Sequence, residues 1–133
     1  MEQKKDHPFG LWPSQMTAAM ASYKLRLEDV QFNPTGDTIL WVEGRSGTGV
    51  LVNQPAQDAR RDLPPPALSV RGGIGYGGGE FTTFENTVFF AEKSGKLYRM
   101  DIESGQPSPI TPPYGAFANP QVSPDGQWVA SVF

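Results

Sequence analysis

A chain of 133 residues with 11 Lys and Arg against 14 Asp and Glu, net charge -3, has the size of one ordinary domain and lacks the basic footprint of a nucleic-acid binder. The absence of cysteine excludes a disulfide framework and thiolate chemistry, and Asn33-Pro34-Thr35 fails as a glycosylation acceptor because proline fills its middle position. No signal-peptide core is legible near Met1 and no apolar run nears the roughly 20 residues that cross a bilayer, so a soluble, cytoplasmic protein without a membrane partner is expected.

Residues 1–25 form an N-terminal segment in which Ser14, after Trp12-Pro13, is placed to cap a short helix. That helix runs through Met16, Ala18, Ala19 and Met20 and ends near Ser22. From Arg26 onward the character changes. Short runs rich in Val, Ile, Phe, Tyr and Trp alternate with turns drawn from 15 Gly and 13 Pro, which predicts an all-β fold of many short strands.

The first run, Val30-Gln31-Phe32, meets a turn at Asn33-Pro34-Thr35-Gly36-Asp37 and continues through Ile39-Leu40-Trp41-Val42-Glu43. Proline presets φ at the first central position of such a turn, and glycine accepts the left-handed conformation that a tight reversal needs. A middle copy follows: Phe81-Thr82-Thr83-Phe84, a turn at Glu85-Asn86, then Thr87-Val88-Phe89-Phe90-Ala91, Lys96 to Ile102, a turn at 103–106, and Ser108 to Thr111. Those are four short strands in a meander, the unit of a propeller blade. The last copy is Gln121-Val122, a turn at Ser123-Pro124-Asp125-Gly126, and Trp128 to Val132. Pro34 and Pro124 stand 90 positions apart, twice the roughly 45 residues of one blade.

The expected architecture is therefore an incomplete β-propeller of about two and a half blades: blade 1 over 26–73, blade 2 over 76–114 and a half blade over 115–133. The runs Ile39 to Val42 and Val88 to Ala91 are apolar almost without alternation, so both faces of each are expected to be covered by neighbouring blades. Propellers close with about four to eight blades, and this count marks the chain as part of a longer protein. Folded alone, it is expected to expose apolar faces and associate.

No catalytic, cofactor-binding or metal-binding residue is assigned. The run 73–78, Gly-Ile-Gly-Tyr-Gly-Gly, fits the dinucleotide pattern in letters, but a strand follows where a helix N-terminus must receive the pyrophosphate. Residues 44–49 resemble a nucleophile elbow except that Thr48 stands where glycine is required, and they read as a hairpin loop. His7 is a lone histidine in the N-terminal tail. Glu80, Glu85, Glu92, Asp101 and Glu103 sit at turns or strand ends without calcium-loop spacing and read as solubilising charges. Trp12, Trp41, Tyr76, Tyr98 and Trp128 read as packing between sheets rather than a stacking platform.

Five runs carry a resemblance: Pro8-Phe9-Gly10-Leu11-Trp12-Pro13-Ser14, Leu27-Glu28-Asp29-Val30, Leu40-Trp41-Val42-Glu43-Gly44-Arg45, Tyr76-Gly77-Gly78-Gly79-Glu80-Phe81 and Lys96-Leu97-Tyr98-Arg99. In this order, over nearly the whole chain, they resemble the N-terminal propeller of prolyl oligopeptidase-family serine peptidases, nearest the bacterial dipeptidyl aminopeptidases and acylaminoacyl peptidases. The resemblance implies further blades and a C-terminal α/β-hydrolase domain with a Ser-Asp-His triad, none of it in this chain. It also implies a propeller that filters short peptide substrates and excludes folded proteins. Members often carry His-Glu where this chain has Ile74-Gly75, so no role transfers to those two. The alternative is a non-catalytic, protein-binding propeller of the TolB-like kind, which shares the Ser-Pro-Asp-Gly turn and predicts a secretory leader.

Overall fold

Turns of two to six residues join the strands within each antiparallel sheet. The computed structural model describes residue 17 and residues 25–63, 65, 67–72 and 79–133. All regular structure among them is strand. The helix expected over 14–22 lies, apart from Thr17, outside the described residues.

The first sheet orders its strands as in sequence: β1 (Leu25–Phe32), β2 (Thr38–Arg45), β3 (Thr48–Pro55) and β4 (Arg61–Asp62). The second repeats the meander with β5 (Phe81–Phe84), β6 (Thr87–Ala91), β7 (Leu97–Asp101) and β8 (Pro107–Pro109). A two-stranded sheet of β9 (Ala118–Val122) and β10 (Val129–Val132) completes the described fold. The leading strands β1, β5 and β9 lie next to one another along one side, as the inner strands of successive blades do.

The repeat read in the sequence is kept in register at three strand pairs. In the first sheet Phe32 pairs with Ile39, Gln31 with Leu40, Val30 with Trp41 and Glu28 with Val42, leaving Asp29 as a bulge. Ninety positions later Val122 pairs with Val129, Gln121 with Ala130 and Ala118 with Val132, again with an irregularity between the last two pairs. The bulge residues are both left-handed, Asp29 at φ 38° and Asn119 at φ 50°. Both hairpin tips close alike: Gly36 and Gly126, at φ 77° and 71°, donate to the carbonyls of Asn33 and Ser123 at 2.9 Å. The middle copy turns through Glu85, at φ 50°, and β5 pairs with β6 without a bulge.

An apolar layer joins the first two sheets. Leu40, Val42 and Leu51 from one side and Phe81, Val88, Phe90 and Met100 from the other are buried in a single cluster. Each large side chain so buried contributes roughly 1.5–3 kcal/mol. Phe90 also stacks on Tyr98, with ring centroids 5.5 Å apart. Polar bonds stitch the same seam at three depths. At the inner strand, Gln31 Nε2 donates to the Phe81 carbonyl at 2.7 Å. In the linker, the Val70 and Arg71 amides donate to Gly49 and Ala91 at 2.9 Å each. On the outer side, an Arg61 Nη donates to the Ile102 carbonyl at 2.7 Å. Gly49 is needed there, because a Cβ on it would stand 1.8 Å from the Val70 carbonyl oxygen.

Candidate functional site

The residues weighed for catalysis fall in different places. Residues 73–78 and His7 lie outside the described residues. Residues 44–49 form the β2–β3 hairpin, with Arg45 paired to Thr48 across a two-residue turn of Ser46 and Gly47, both at positive φ. A strand follows that turn, so no nucleophile elbow is built there. Among the described residues no group of three or more His, Cys, Asp or Glu is placed to hold a metal ion.

The acidic set needs correction. Glu85 and Glu103 are exposed. Asp101, also exposed, organises its turn by accepting from the Ser104 amide at 2.8 Å, the bond that chiefly lowers its pKa, and from Asn86 Nδ2 at 3.0 Å. Glu80 and Glu92 are buried, at 4% and 8% exposure, and are not solubilising charges. Burial pushes the Glu92 carboxyl up, but hydrogen bonds, led by those from Ser94, outweigh it and hold it below the usual carboxylate range. Burial, reinforced by the charge of Asp29, raises the Glu80 carboxyl, whose Oε2 has no hydrogen-bond partner among the described residues. An acid just after a glycine run reads as surface in sequence. Only the packing of three inner strands buries it.

Those strands meet at the start of β5. Its preceding residue, Glu80, donates its amide to Asp29 Oδ2 at 3.0 Å, while Asn119 lies over Gly79, where a Cβ would come within 2.6 Å of its Oδ1. The left-handed backbone at Asp29 and Asn119 departs from ordinary strand geometry, at a cost of order 1–3 kcal/mol per residue, and at Asp29 it accompanies the carboxylate bond across the seam.

An open apolar surface lies on the other face of the first sheet. Leu27, Val30 and Phe32 are 72%, 61% and 66% exposed. An apolar groove of about 360 Å³ runs between Leu27, Val30, Ile39 and Trp41, with Glu28 and Asp29 in its wall. Strand alternation places Trp41, Glu43 and Arg45 in line beside it. Trp41 Nε1 donates to Glu43 Oε1 at 2.8 Å, Arg45 Nε donates to Glu43 Oε2 at 2.6 Å, and the Arg45 guanidinium grips both oxygens of Asp62 at 2.6 and 3.0 Å. Burial works to raise the Glu43 pKa, yet the bonds from Trp41 and Arg45 hold it below the usual carboxylate range. This ladder braces β2 to β4 across β3 and has no nucleophile or base poised over a cavity, so it organises a surface. Of the aromatic set, Trp12 and Tyr76 lie outside the described residues and Tyr98 packs in the core. Trp128 is exposed, contrary to the packing role expected for it.

No protein-family model and no curated protein matches the chain by sequence. Solved structures do. Two crystal structures of puromycin hydrolase, one of them a variant complexed with PGG, share 26% and 25% identity with TM-scores of 0.66 and 0.64, each covering 90% of this chain and 21% of that chain. A TolB-type protein from Agrobacterium tumefaciens shares 22% identity with a TM-score of 0.53 over 77% of this chain and 36% of that chain, a likeness of fold. The chain thus spans about a fifth of the length of the hydrolase it matches. Among the described residues no helix is long and apolar enough to cross a membrane. The matched span, the four-stranded meanders and the ordered sequence runs agree: this chain is a β-propeller segment of the kind carried by the prolyl oligopeptidase family, to which puromycin hydrolase belongs.

Proposed function

We propose that the chain is the N-terminal propeller part of a cytoplasmic serine peptidase of the dipeptidyl aminopeptidase or acylaminoacyl peptidase type. In this reading the propeller admits short peptides to a C-terminal α/β-hydrolase domain and excludes folded proteins, while the triad lies in that domain. The observation that carries it is the likeness to puromycin hydrolase over 90% of this chain, joined to the open lateral face of the first sheet. A blade with an apolar face in water fits a larger ring better than a finished domain.

The full coding region tests this. It should encode a Gly-Xaa-Ser-Xaa-Gly elbow within roughly a few hundred residues downstream, the span of a propeller and a catalytic domain of ordinary size. The expressed protein should cleave chromogenic aminoacyl or acyl-aminoacyl substrates, stop under a serine-directed inhibitor and leave folded proteins intact. The 133-residue chain alone should cleave none of them. A missing elbow, inhibitor-sensitive turnover by the isolated chain, or cleavage of folded proteins overturns the reading. The weaker likeness to a TolB-type propeller favours a second reading, a non-catalytic protein-binding module, for which the same coding region would carry a secretory leader and no elbow.

A further inference from the structure

The register shared by the β1–β2 and β9–β10 hairpins bears on what β9 is built to touch. In the first sheet two side chains leave their own strand and seat the start of the next sheet: Asp29 accepts the Glu80 amide, and Gln31 donates to the Phe81 carbonyl. Asn119 and Gln121 hold the same register places 90 positions later. Asn119 is the left-handed bulge residue, and Gln121 pairs with Ala130 as Gln31 pairs with Leu40. The chemistry is kept as well, an acceptor oxygen and then a carboxamide donor with one residue between. Here the two groups bond to each other, Gln121 Nε2 donating to Asn119 Oδ1 at 3.2 Å, and the Asn119 carboxamide rests against Gly79 of the second sheet, a contact that docking would exchange for the incoming amide. The apolar positions behind them are also repeated. Leu40 and Val42 are buried against the second sheet, whereas their counterparts Ala130 and Val132 are exposed.

We propose that Asn119 and Gln121 form the docking site for the opening strand of a further four-stranded sheet, an extended segment of the pattern Gly-polar-aromatic seen in Gly79-Glu80-Phe81. Asn119 Oδ1 accepts the amide of the polar residue and Gln121 Nε2 donates to the carbonyl of the aromatic one. The occupied copy at Asp29 and Gln31 shows what such a pair holds, and the exposed Ala130 and Val132 give the incoming sheet an apolar face to cover.

A synthetic peptide of residues 79–92, carrying that start and the β5–β6 hairpin, is titrated to millimolar concentration into the 133-residue chain while the backbone amide resonances are followed by NMR. Dose-dependent shifts of the Asn119 and Gln121 amides are expected, with the Gln31 amide unmoved because its place is taken. The shifts should vanish in Asn119→Gly/Gln121→Leu, where glycine keeps the left-handed backbone, and persist in Asn119→Asp, which installs the residue of the occupied copy. Four results overturn the proposal: no shift in the unaltered chain, shifts that survive the double substitution, loss of binding in Asn119→Asp, or shifts that follow chain concentration without peptide. The last assigns the edge to a second copy of the chain.

Discussion

β2 and β6 hold equivalent places, each the second strand of a four-stranded meander, yet their faces differ. Val88, Phe89, Phe90 and Ala91 of β6 are all buried. In β2 Leu40 and Val42 are sealed on the side facing the second sheet, while on the other side Ile39 and Trp41 stay partly open beside the buried Glu43. The two runs look alike in sequence, and both were expected to be covered on both faces. Among the described residues that expectation holds for β6, which has a sheet on each side, and fails for Ile39 to Val42, which has one. Strand composition states a demand for neighbours, and the number of neighbours present decides whether it is met.

Matched truncations test this contrast most severely. Phe89 and Trp41 occupy the same register place, opposite Thr82 and Val30. Phe89→Ala should cost about 3 kcal/mol, and Trp41→Ala, whose indole is partly in water, about half as much. Urea unfolding of both variants decides it, and equal losses would erase the contrast.

The strap between the sheets comes next. Gly49→Ala places a methyl group where the Val70 carbonyl stands and should cost about 1–3 kcal/mol. Hydrogen exchange should show the Val70 and Arg71 amides losing protection first; unchanged rates at both would mean that the linker yields freely.

Two buried carboxylates should respond to pH in opposite senses. Glu80 is raised above the ordinary 4.5 by burial and by Asp29, so its contribution to stability is complete below 4.5 and is lost as pH rises through the raised value. For Glu43 burial also raises the pKa, but Trp41 and Arg45 prevail and lower it. Its contribution is complete above 4.5 and is lost as pH falls through the lowered value. Unfolding free energy against pH should lose its high-side decline in Glu80→Gln and part of its acid limb in Glu43→Gln. A Glu80→Gln profile that keeps the decline would remove Glu80 from the account.

The smallest effect on stability is expected on the open face. Leu27→Ser should change it by no more than about 0.5 kcal/mol. It should nevertheless weaken self-association in sedimentation, because the groove beside Trp41 loses an apolar wall. Unchanged association would free that face of the role.

Much of this architecture was legible beforehand. The Pro-Xaa-Gly turns announced two hairpins, and their spacing of 90 announced the two-blade repeat because a turn needs particular residues at particular places. The bulges were not legible. Asp29 and Asn119 adopt left-handed backbone without being glycine, and only strand pairing exposes the extra residue. Nor was the burial of Glu80, since the acids and amides around it come from strands about fifty and forty residues away along the chain. The Trp41, Glu43 and Arg45 ladder did leave a signal. Three polar-capable residues at alternate positions of a strand must share one face.

The missing bulge in β5 has a consequence for the inner wall. Along the described arc, strands that project a left-handed polar residue alternate with one that does not, so the wall is striped rather than uniform. That wall carries a carboxylate on β1, a carboxamide on β9 and glycine backbone just ahead of β5.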